Sequence, residues 1–243
     1  MNPRLHIPLP FTDGAALPLT EGQQHHLAVV LRLKDGAPVR VFNGQEGEWD
    51  ARFSLQGKKA FAVVHRQRME QAPVADVGLL FAPVKKGPVD FLAQKATELG
   101  AAWLQPVRTR RTIAARVNEM RLLANAVEAA EQTGRMDIPR ILPFASLETA
   151  VLALRPSTRL LFCDESRQAP PLKQALLARQ ADWGLPWAVV VGPEGGFTPE
   201  EAAFLKDMPH CVPCHLGPRL LRADTAALAA LAGWQMMTQA DAL

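Results

Sequence analysis

The chain has 243 residues, of which 48% are hydrophobic, and its formal net charge at pH 7 is +3. This length and apolar content allow a substantial buried core, in one large domain or two modest ones. So small a charge does not by itself argue for a nucleic-acid partner, and no stretch approaches the roughly 20 apolar residues that a membrane span needs.

The cysteines and the amino terminus bear on the compartment. Three cysteines cannot form a full set of disulfides, and residues 1–8 lack the apolar run of a signal peptide. We therefore expect reduced thiols and a cytoplasmic protein without a membrane partner.

Residues 1 to about 72 contain short alternating apolar segments separated by glycine turns. The segments are Pro38–Phe42, Trp49–Phe53 and Ala60–Val64, and Asn43-Gly44 is a strong turn dipeptide. Several strands at this spacing predict a small β-barrel.

A helix is predicted before these strands. In the segment 24–32, Leu27, Val30 and Leu31 recur at helical spacing. We expect all three on an inner face.

From residue 73 to the end the pattern changes, and strands alternate with helices. This alternation predicts a mostly parallel sheet that is covered by helices on both faces. The predicted strands are 77–81, 103–107, 159–162 and 188–191, and the predicted helices are 88–99, 118–133, 146–154 and 172–180.

The apolar run Ala188–Val191 ends at Gly192, and three of the five residues from Gly192 to Gly196 are glycines. Thr198 then resembles a helix N-cap, with Pro199 at the first helical position and Glu201 completing a capping box. This loop is either an ordinary strand-to-helix turn or a loop whose exposed backbone N–H and C=O groups bind a ligand. The loop lacks both the Gly-x-Gly-x-x-Gly pattern and the Lys-Ser/Thr of a phosphate loop, which favours a neutral or zwitterionic nucleoside over a pyrophosphate.

A second apolar segment, Cys211–Leu216, runs into Gly217 and then a long Ala/Leu helix. Two strands that end in glycine loops at the same edge of a sheet form a pocket of exposed backbone. Arg219 and Arg222 lie close to the start of the helix. They are either solvated or paired with a local anion. The second reading is favoured, because the helix dipole destabilises an unpaired cation at the start of a helix.

The segment His210–His215 contains Cys-x-x-Cys-His, which matches a c-type haem attachment signature and also suggests zinc. We favour a buried strand without metal, because cysteine packs as a small hydrophobe and Cys163 is the only other cysteine.

Two helices carry charged residues at helical spacing. Glu128, Glu131, Gln132 and Arg135 lie along one side of the first and form either a salt-bridged surface or a functional face. Lys95 and Glu98, one turn apart on the other helix, are able to pair with each other.

Taken together, these segments resemble the RsmE family of ribosomal RNA methyltransferases, of the SPOUT class. The similarity rests on Gly192–Phe197, on the stretch 216–226 (Leu-Gly-Pro-Arg-Leu-Leu-Arg-x-x-Thr-Ala), and on three shorter motifs. These are His26–Arg32 with Phe42-Asn43-Gly44, Lys95–Gly100, and Glu131-Gln132-x-x-Arg135.

The resemblance implies a PUA-like β-barrel in residues 1–72 and a SPOUT α/β domain in residues 73–243, whose carboxyl end forms a trefoil knot. It implies a homodimer that binds S-adenosylmethionine, uses no metal, and methylates ring nitrogen 3 of one uridine in 16S ribosomal RNA of the small subunit. Where the family commonly has Arg-Thr-Glu-Thr, this chain has Arg222-Ala223-Asp224-Thr225.

The resemblance also implies roles for individual residues. Arg222 is expected near the reacting centre, and Glu194 either accepts a proton or positions its loop. RNA phosphates are expected at Arg4, Arg32, Lys95, Arg110 and Arg135. The expected cofactor-binding residues are Gly192, Pro193, Glu194, Gly195, Gly196, Leu216, Gly217, Leu220, Leu221, Arg222 and Thr225.

Three alternatives remain open. The chain is a SPOUT methyltransferase for transfer RNA or another ribosomal position, or a catalytically silent RNA-binding assembly factor, or a haem or zinc protein.

Overall fold

The computed structural model describes residues 2–83 and 88–238. They divide into two compact units, of which the first comprises the residues up to Pro73 together with Val127–Ile138, and the second the remainder. The sequence places segment 127–138 in the second domain, whereas the structure groups it with the first.

The first unit is built on a five-stranded sheet with the order β1-β3-β4-β5-β2. The β1 and β3 strands are parallel, and the other neighbours are antiparallel. Gly57, with a φ of 64°, occupies the tight turn between β4 and β5, where a side chain would be strained. The strands are β1 (Arg4–His6), β2 (Ala16–Pro18), β3 (Pro38–Phe42), β4 (Glu48–Gln56) and β5 (Lys59–Met69).

Alternation along these strands separates core from solvent. Ala51 and Phe53 of β4 and Ala60, Ala62 and Val64 of β5 are buried in one apolar cluster. Because side chains in a strand alternate between faces, this face holds the core of the unit and its position follows from the sequence.

The predicted helix at 24–32 differs from the structure. α1 (Glu21–His25) continues as a π-helix over His26–Val30, and the Leu31 N–H donates to the His26 carbonyl. Leu27 is buried, but Val30 is 58% exposed and Leu31 is 41% exposed. The prediction that Val30 and Leu31 face the core is wrong, because the wider π turn rotates them away from the face that a 3.6-residue period assigns.

The second unit contains a parallel sheet with the order β12-β10-β11-β6-β7-β8, and β9 pairs with the far end of β7. Every pair in it is parallel, as predicted. The strands are β6 (Val77–Phe81), β7 (Trp103–Arg108), β8 (Arg140–Ile141), β9 (Ala145–Ser146), β10 (Arg159–Cys163), β11 (Trp187–Val191) and β12 (Cys211–Cys214).

Both faces of this sheet are covered. Leu79 and Val189 pack into one apolar cluster, and their neighbours Leu80 and Val190 pack into another. Adjacent residues of a strand point to opposite faces, so continuous apolar strands imply helices on both sides. The helices are α2 (Pro88–Glu98), α3 (Glu119–Gln132), α4 (Leu147–Leu152), α5 (Leu172–Leu177), α6 (Pro199–Lys206) and α7 (Ala223–Thr238).

The start of α6 confirms the capping prediction. Thr198 accepts from the Glu201 N–H, the Glu201 carboxylate accepts from the Thr198 N–H, and Pro199 occupies the first turn. This cap sets where the loop after β11 ends. Among the described helices, none has both the length and the apolarity required to cross a membrane.

Candidate functional site

The two glycine loops lie at the carboxyl edge of the parallel sheet, with one strand between them. β10 pairs with β11 on one side and with β12 on the other. The loop after β10, residues 164–171, therefore lies between the loops that the sequence singled out. Carboxyl ends of parallel strands are where α/β folds bind ligands.

These three loops surround a cavity of about 370 Å³. Eight of the predicted cofactor-binding residues line it: Gly192, Pro193, Glu194, Gly196, Leu216, Gly217, Leu220 and Leu221. The lining also includes Val191, Arg219, Ala223 and Ala226, together with five residues that the sequence did not indicate: Cys163, Asp164, Glu165, Arg167 and His215.

The other three predicted cofactor-binding residues lie outside that lining. The Gly195 carbonyl accepts a hydrogen bond from the Arg111 guanidinium. Arg222 is exposed immediately before α7, and its carbonyl accepts from the Ala226 N–H at 2.8 Å. The Thr225 N–H donates to the carboxylate of Asp224 at 2.7 Å, and this carboxylate lies in the first turn of α7, where the helix dipole favours negative charge.

The first glycine loop lies against the loop after β10. Glu165 Oε1 accepts from the Phe197 N–H at 3.1 Å. Gly196 has a φ of 71°, and a Cβ on it would lie 2.1 Å from the same oxygen. Glycine at 196 therefore allows both the backbone conformation and the position of the carboxylate.

The second glycine loop is fixed by two polar contacts. Arg167, with a φ of 61°, donates from Nη1 to the Pro218 carbonyl at 2.7 Å. The Gly217 N–H donates to His215 Nδ1 at 3.1 Å. A non-glycine residue at positive φ is strained, and the contact to Pro218 offsets that strain.

Asp164, at the end of β10, is buried next to the cavity. Its Oδ2 lies 2.8 Å from Lys206 Nζ. Burial alone would raise the pKa of this carboxyl, but hydrogen bonds from Lys206 and Ser166 outweigh burial and hold the pKa below its ordinary value. Asp164 is therefore an ionised carboxylate whose charge Lys206 compensates.

The cysteines of β10 and β12 form part of the sheet interior. Cys163 and Cys214 are opposite each other in register, and both are buried. Burial raises the pKa of Cys211 to about 12. Within the described part of the chain, no group of three or more His, Cys, Asp or Glu residues is arranged to hold a metal ion.

A basic loop follows β7 at the same edge of the sheet. The stretch 108–116 carries Arg108, Arg110, Arg111 and Arg116, and no Asp or Glu occurs between Glu98 and Glu119. All four arginines are exposed. The close spacing of these arginines is visible in the sequence, although only Arg110 was predicted to contact RNA.

Two contacts attach the basic loop to the first glycine loop and its helix. The first is the bond from Arg111 to Gly195, and in the second the Arg110 N–H donates to Glu201 Oε1 at 2.7 Å. The backbone of Arg110 is therefore held at the start of α6, while its side chain is exposed. Arg110 and Arg111 both lower the pKa of the exposed Glu200, after larger contributions from hydrogen bonds at the Glu200 backbone and Thr198.

Arg4 was predicted to bind an RNA phosphate, and the structure contradicts this. Its side chain is 5% exposed, and Nε lies 2.5 Å from the Glu48 carboxylate. The guanidinium also donates to the carbonyls of Ala130, Thr133 and Arg135. Arg4 is committed to joining β1 to the end of α3 and the residues that follow it.

Arg135 is corrected for a similar reason. Its side chain is 9% exposed and forms an ion pair with Asp137 at 2.8 Å. Glu131 accepts from the His6 N–H at 2.9 Å, and Gln132 donates to Glu128 at 3.2 Å. These contacts pack this side of the helix within the first unit. A phosphate would have to displace Asp137 from its ion pair to bind Arg135.

The two remaining predicted phosphate contacts are accessible. Arg32 is exposed at a φ of 52°, directly after the π-helix. Lys95 pairs with Glu98 at 2.6 Å, as the spacing allowed, and its side chain is 38% exposed. Their role toward RNA stays a prediction.

The cavity combines bare backbone, an apolar lining and charged groups at one sheet edge. Such a site suits a ligand that has a flat apolar part and a charged polar part. The backbone N–H and C=O groups of the glycine loops are able to form hydrogen bonds with that ligand.

Comparison with known proteins places the chain in a family. Residues 70–235 match the RNA methyltransferase domain and residues 19–64 match the RNA methyltransferase PUA domain. The chain is 31% identical to the ribosomal RNA small subunit methyltransferase E of Synechocystis over 223 residues, which cover 90% of this chain and 72% of that protein. It is 27% identical to the protein of the same name from Rickettsia conorii, with 94% of this chain and 93% of that protein covered.

Two solved structures have the same fold over nearly the whole chain. A ribosomal RNA small subunit methyltransferase E from Neisseria gonorrhoeae, bound to S-adenosyl methionine, has a TM-score of 0.85 at 27% identity, with 98% of each chain covered. A methyltransferase from Legionella pneumophila in complex with the same cofactor has a TM-score of 0.81 at 26% identity, with 97% of each covered. The predicted fold class is confirmed as a PUA domain followed by an α/β domain with a parallel sheet. The predicted family is confirmed too, and the chain belongs to the ribosomal RNA small subunit methyltransferase E (RsmE) family of RNA methyltransferases.

Proposed function

We propose that this protein uses S-adenosylmethionine to methylate ring nitrogen 3 of one uridine in 16S ribosomal RNA of the small subunit. Membership of the RsmE family supports a small-subunit ribosomal RNA substrate. The observation that carries the proposal is the cavity between the loops after β10, β11 and β12. The structures of two proteins with this fold contain bound S-adenosyl methionine.

The residues of the cavity fit such a cofactor. Gly192 and Gly196 line the cavity with backbone atoms. A Cβ on Gly192 would lie 2.8 Å from the Phe197 ring and one on Gly196 would lie 2.1 Å from Glu165 Oε1, so a side chain at either position would disturb the wall of the cavity. Leu216 and Leu221 add apolar surface. When bound, S-adenosylmethionine supplies a methyl group that its sulfonium already activates, so the chain needs no metal for the transfer.

The chain's own task is then orientation and charge control. Holding the acceptor ring nitrogen in line with a donor contributes several kcal/mol to a barrier, on the order of 7 or more where alignment is complete. Loss of the uracil N–H leaves negative charge on the ring oxygens, which a nearby cation that is free to pair with them stabilises. Within the described residues Arg222 has neither an ion pair nor a side-chain hydrogen bond, and we assign it this role.

The proton released from the uracil needs an acceptor. Glu194 lines the cavity and is exposed. Glu194 either accepts this proton or positions the loop. The pH dependence of the methyl-transfer rate distinguishes the two roles, because the rate rises with ionisation of Glu194 only if Glu194 accepts the proton.

RNA binding is proposed at three accessible cations: Arg110 and Lys95 in the second unit and Arg32 in the first. Phosphate contacts give affinity that depends on salt and positions the RNA without reading its sequence.

The family resemblance also supports a homodimer, a knotted carboxyl end and a cytoplasmic location. Sedimentation equilibrium at several protein concentrations tests the dimer. A single species at the monomer mass would contradict it.

The direct test of the proposed function is methylation of small subunits that lack the modification. Labelled S-adenosylmethionine is added with the purified protein, and the RNA is digested to nucleosides and analysed by mass spectrometry. We expect 3-methyluridine, located at a single position by fragment mapping. Reactions without protein and with the Arg222→Ala variant serve as controls.

The remaining alternatives predict other results. A different methylated nucleoside, or methylation of transfer RNA in a parallel reaction, would assign another substrate to the same fold. Cofactor binding by calorimetry without any transfer would favour an assembly factor.

A further inference from the structure

One anionic side chain of the cavity has no ion-pair partner among the residues that the structure describes. Glu165 follows β10 and lines the cavity. Its Oε1 accepts from the Phe197 N–H at 3.1 Å, while within the described residues Oε2 has no hydrogen-bond partner and the carboxylate has no ion pair. A fixed charge with one open oxygen therefore borders the cavity.

The other acidic residues of the cavity differ from Glu165. Asp164 is paired with Lys206 at 2.8 Å, so its charge is largely cancelled. Glu194 is exposed on the glycine loop, and no hydrogen bond or ion pair within the described residues holds its side chain. Glu165 is exposed as well, but its Oε1 accepts from the Phe197 N–H and lies against Gly196, where a Cβ would come within 2.1 Å of that oxygen.

We infer that Glu165 makes the site prefer the cationic methyl donor over the uncharged thioether product. This inference rests on the proposed function. S-adenosylmethionine carries a positive sulfonium, and S-adenosylhomocysteine has a neutral sulfur in its place. A fixed carboxylate in the same cavity attracts the positive sulfonium of S-adenosylmethionine. It has no such attraction for the neutral sulfur of S-adenosylhomocysteine.

The cavity also contains Arg167 and Arg219. Both ligands carry the same methionine-type carboxylate, so the attraction of these arginines is common to donor and product. The ratio of the two affinities therefore isolates the charge on sulfur. A preference of this kind keeps product from competing with donor for the site.

The test measures both dissociation constants by titration calorimetry. Glu165→Gln preserves the shape and the Phe197 bond while it removes the charge. Glu200→Gln removes the same charge from α6, outside the cavity lining, and serves as the matched control. A third ligand, sinefungin, has a protonated amine where the donor has its methylsulfonium.

For Glu165→Gln we expect about fivefold weaker binding of S-adenosylmethionine and sinefungin, with S-adenosylhomocysteine unchanged. Raising the salt concentration should weaken donor binding in the wild type more than in this variant. Glu200→Gln should leave the ratio of the affinities as it is.

Two results would overturn the inference: an equal loss for all three ligands, or no loss for any. Either one leaves the proposed function intact, because the wild type still binds the donor. If the wild type binds neither donor nor product, the proposed function fails and the inference with it. Thermal unfolding of each variant confirms that binding is measured on folded protein.

Discussion

Arg167 Nη1 donates to the Pro218 carbonyl at 2.7 Å and thereby joins the loop after β10 to the second glycine loop. The two residues are 51 positions apart in the chain. Both loops line the candidate cofactor cavity. The contact bridges two walls of the cavity through one exposed arginine.

Removing this bridge should loosen the cavity. For Arg167→Ala we expect about fivefold weaker binding of S-adenosylmethionine by calorimetry, since a hydrogen bond between a charged donor and a carbonyl contributes about 1 kcal/mol at an exposed site. Arg179→Ala, which removes another exposed arginine outside the cavity lining, should bind normally. Unchanged affinity in Arg167→Ala would show that Pro218 is held without it.

Arg222 is the proposed cation at the reacting centre. Arg222→Ala should reduce methyl transfer about 100-fold or more, because a single fixed charge or donor at a developing anion has effects of this size. The bond from the Ala226 N–H to the carbonyl of residue 222 survives the change, so α7 should start normally. Cofactor affinity is therefore expected to stay within about twofold of wild type. Normal turnover would remove Arg222 from the mechanism.

Arg4 should matter for stability and not for RNA affinity. Arg4→Met leaves three carbonyls without their donor and leaves the buried Glu48 with only its longer ion pairs to Arg40 at 3.6 Å and Arg68 at 3.4 Å. We expect a loss of about 3 kcal/mol in the free energy of unfolding. Arg66→Met is the matched control, because Arg66 is 80% exposed beside Asp50 and its loss should cost less than about 1 kcal/mol. Equal effects in denaturant titrations of the two variants would contradict the buried role of Arg4.

The basic loop should contribute the salt-dependent part of RNA binding. If Arg110 contacts one phosphate, Arg110→Gln should lower the slope of log affinity against log salt by about 0.7 to 0.9. Fluorescence anisotropy with a ribosomal RNA fragment measures this slope. Arg155, in the loop before β10, lies at the opposite edge of the sheet and pairs with Asp76. A slope that falls equally in Arg155→Gln would mean that the effect is not local.

The first unit should lose stability on mild acidification through His6. Burial lowers the pKa of His6 from 6.5, so below about pH 6.5 the unfolded chain binds a proton more readily than the folded chain. The contribution of His6 is therefore complete above pH 6.5 and is lost as the pH falls through the lower folded value.

Denaturant titrations of wild type and His6→Gln at several pH values measure this contribution. The advantage of wild type over the variant should shrink between pH 7.5 and pH 5. Glu131, whose pKa burial raises, acts in the opposite direction and is common to both proteins. A constant difference across this range would contradict the prediction.

The sequence by itself determined the parts of this protein that depend on local periodicity and capping. Continuous apolar runs such as Trp187–Val191 became buried parallel strands, and the Thr198–Glu201 capping box started α6 where it was expected. Both features depend on residues only a few positions apart, so they can be read directly from the chain.

Only the tertiary structure decided which residues share a site and which charges are already paired. The order of strands places β10 between the two glycine-loop strands, and this brings Glu165 and Arg167 into the cavity. Arg4 meets Glu48 across 44 residues of sequence, and this pairing removes it from the candidate RNA contacts. Strand order and long-range ion pairs are set by packing between distant segments, for which a single sequence carries no local periodic signal.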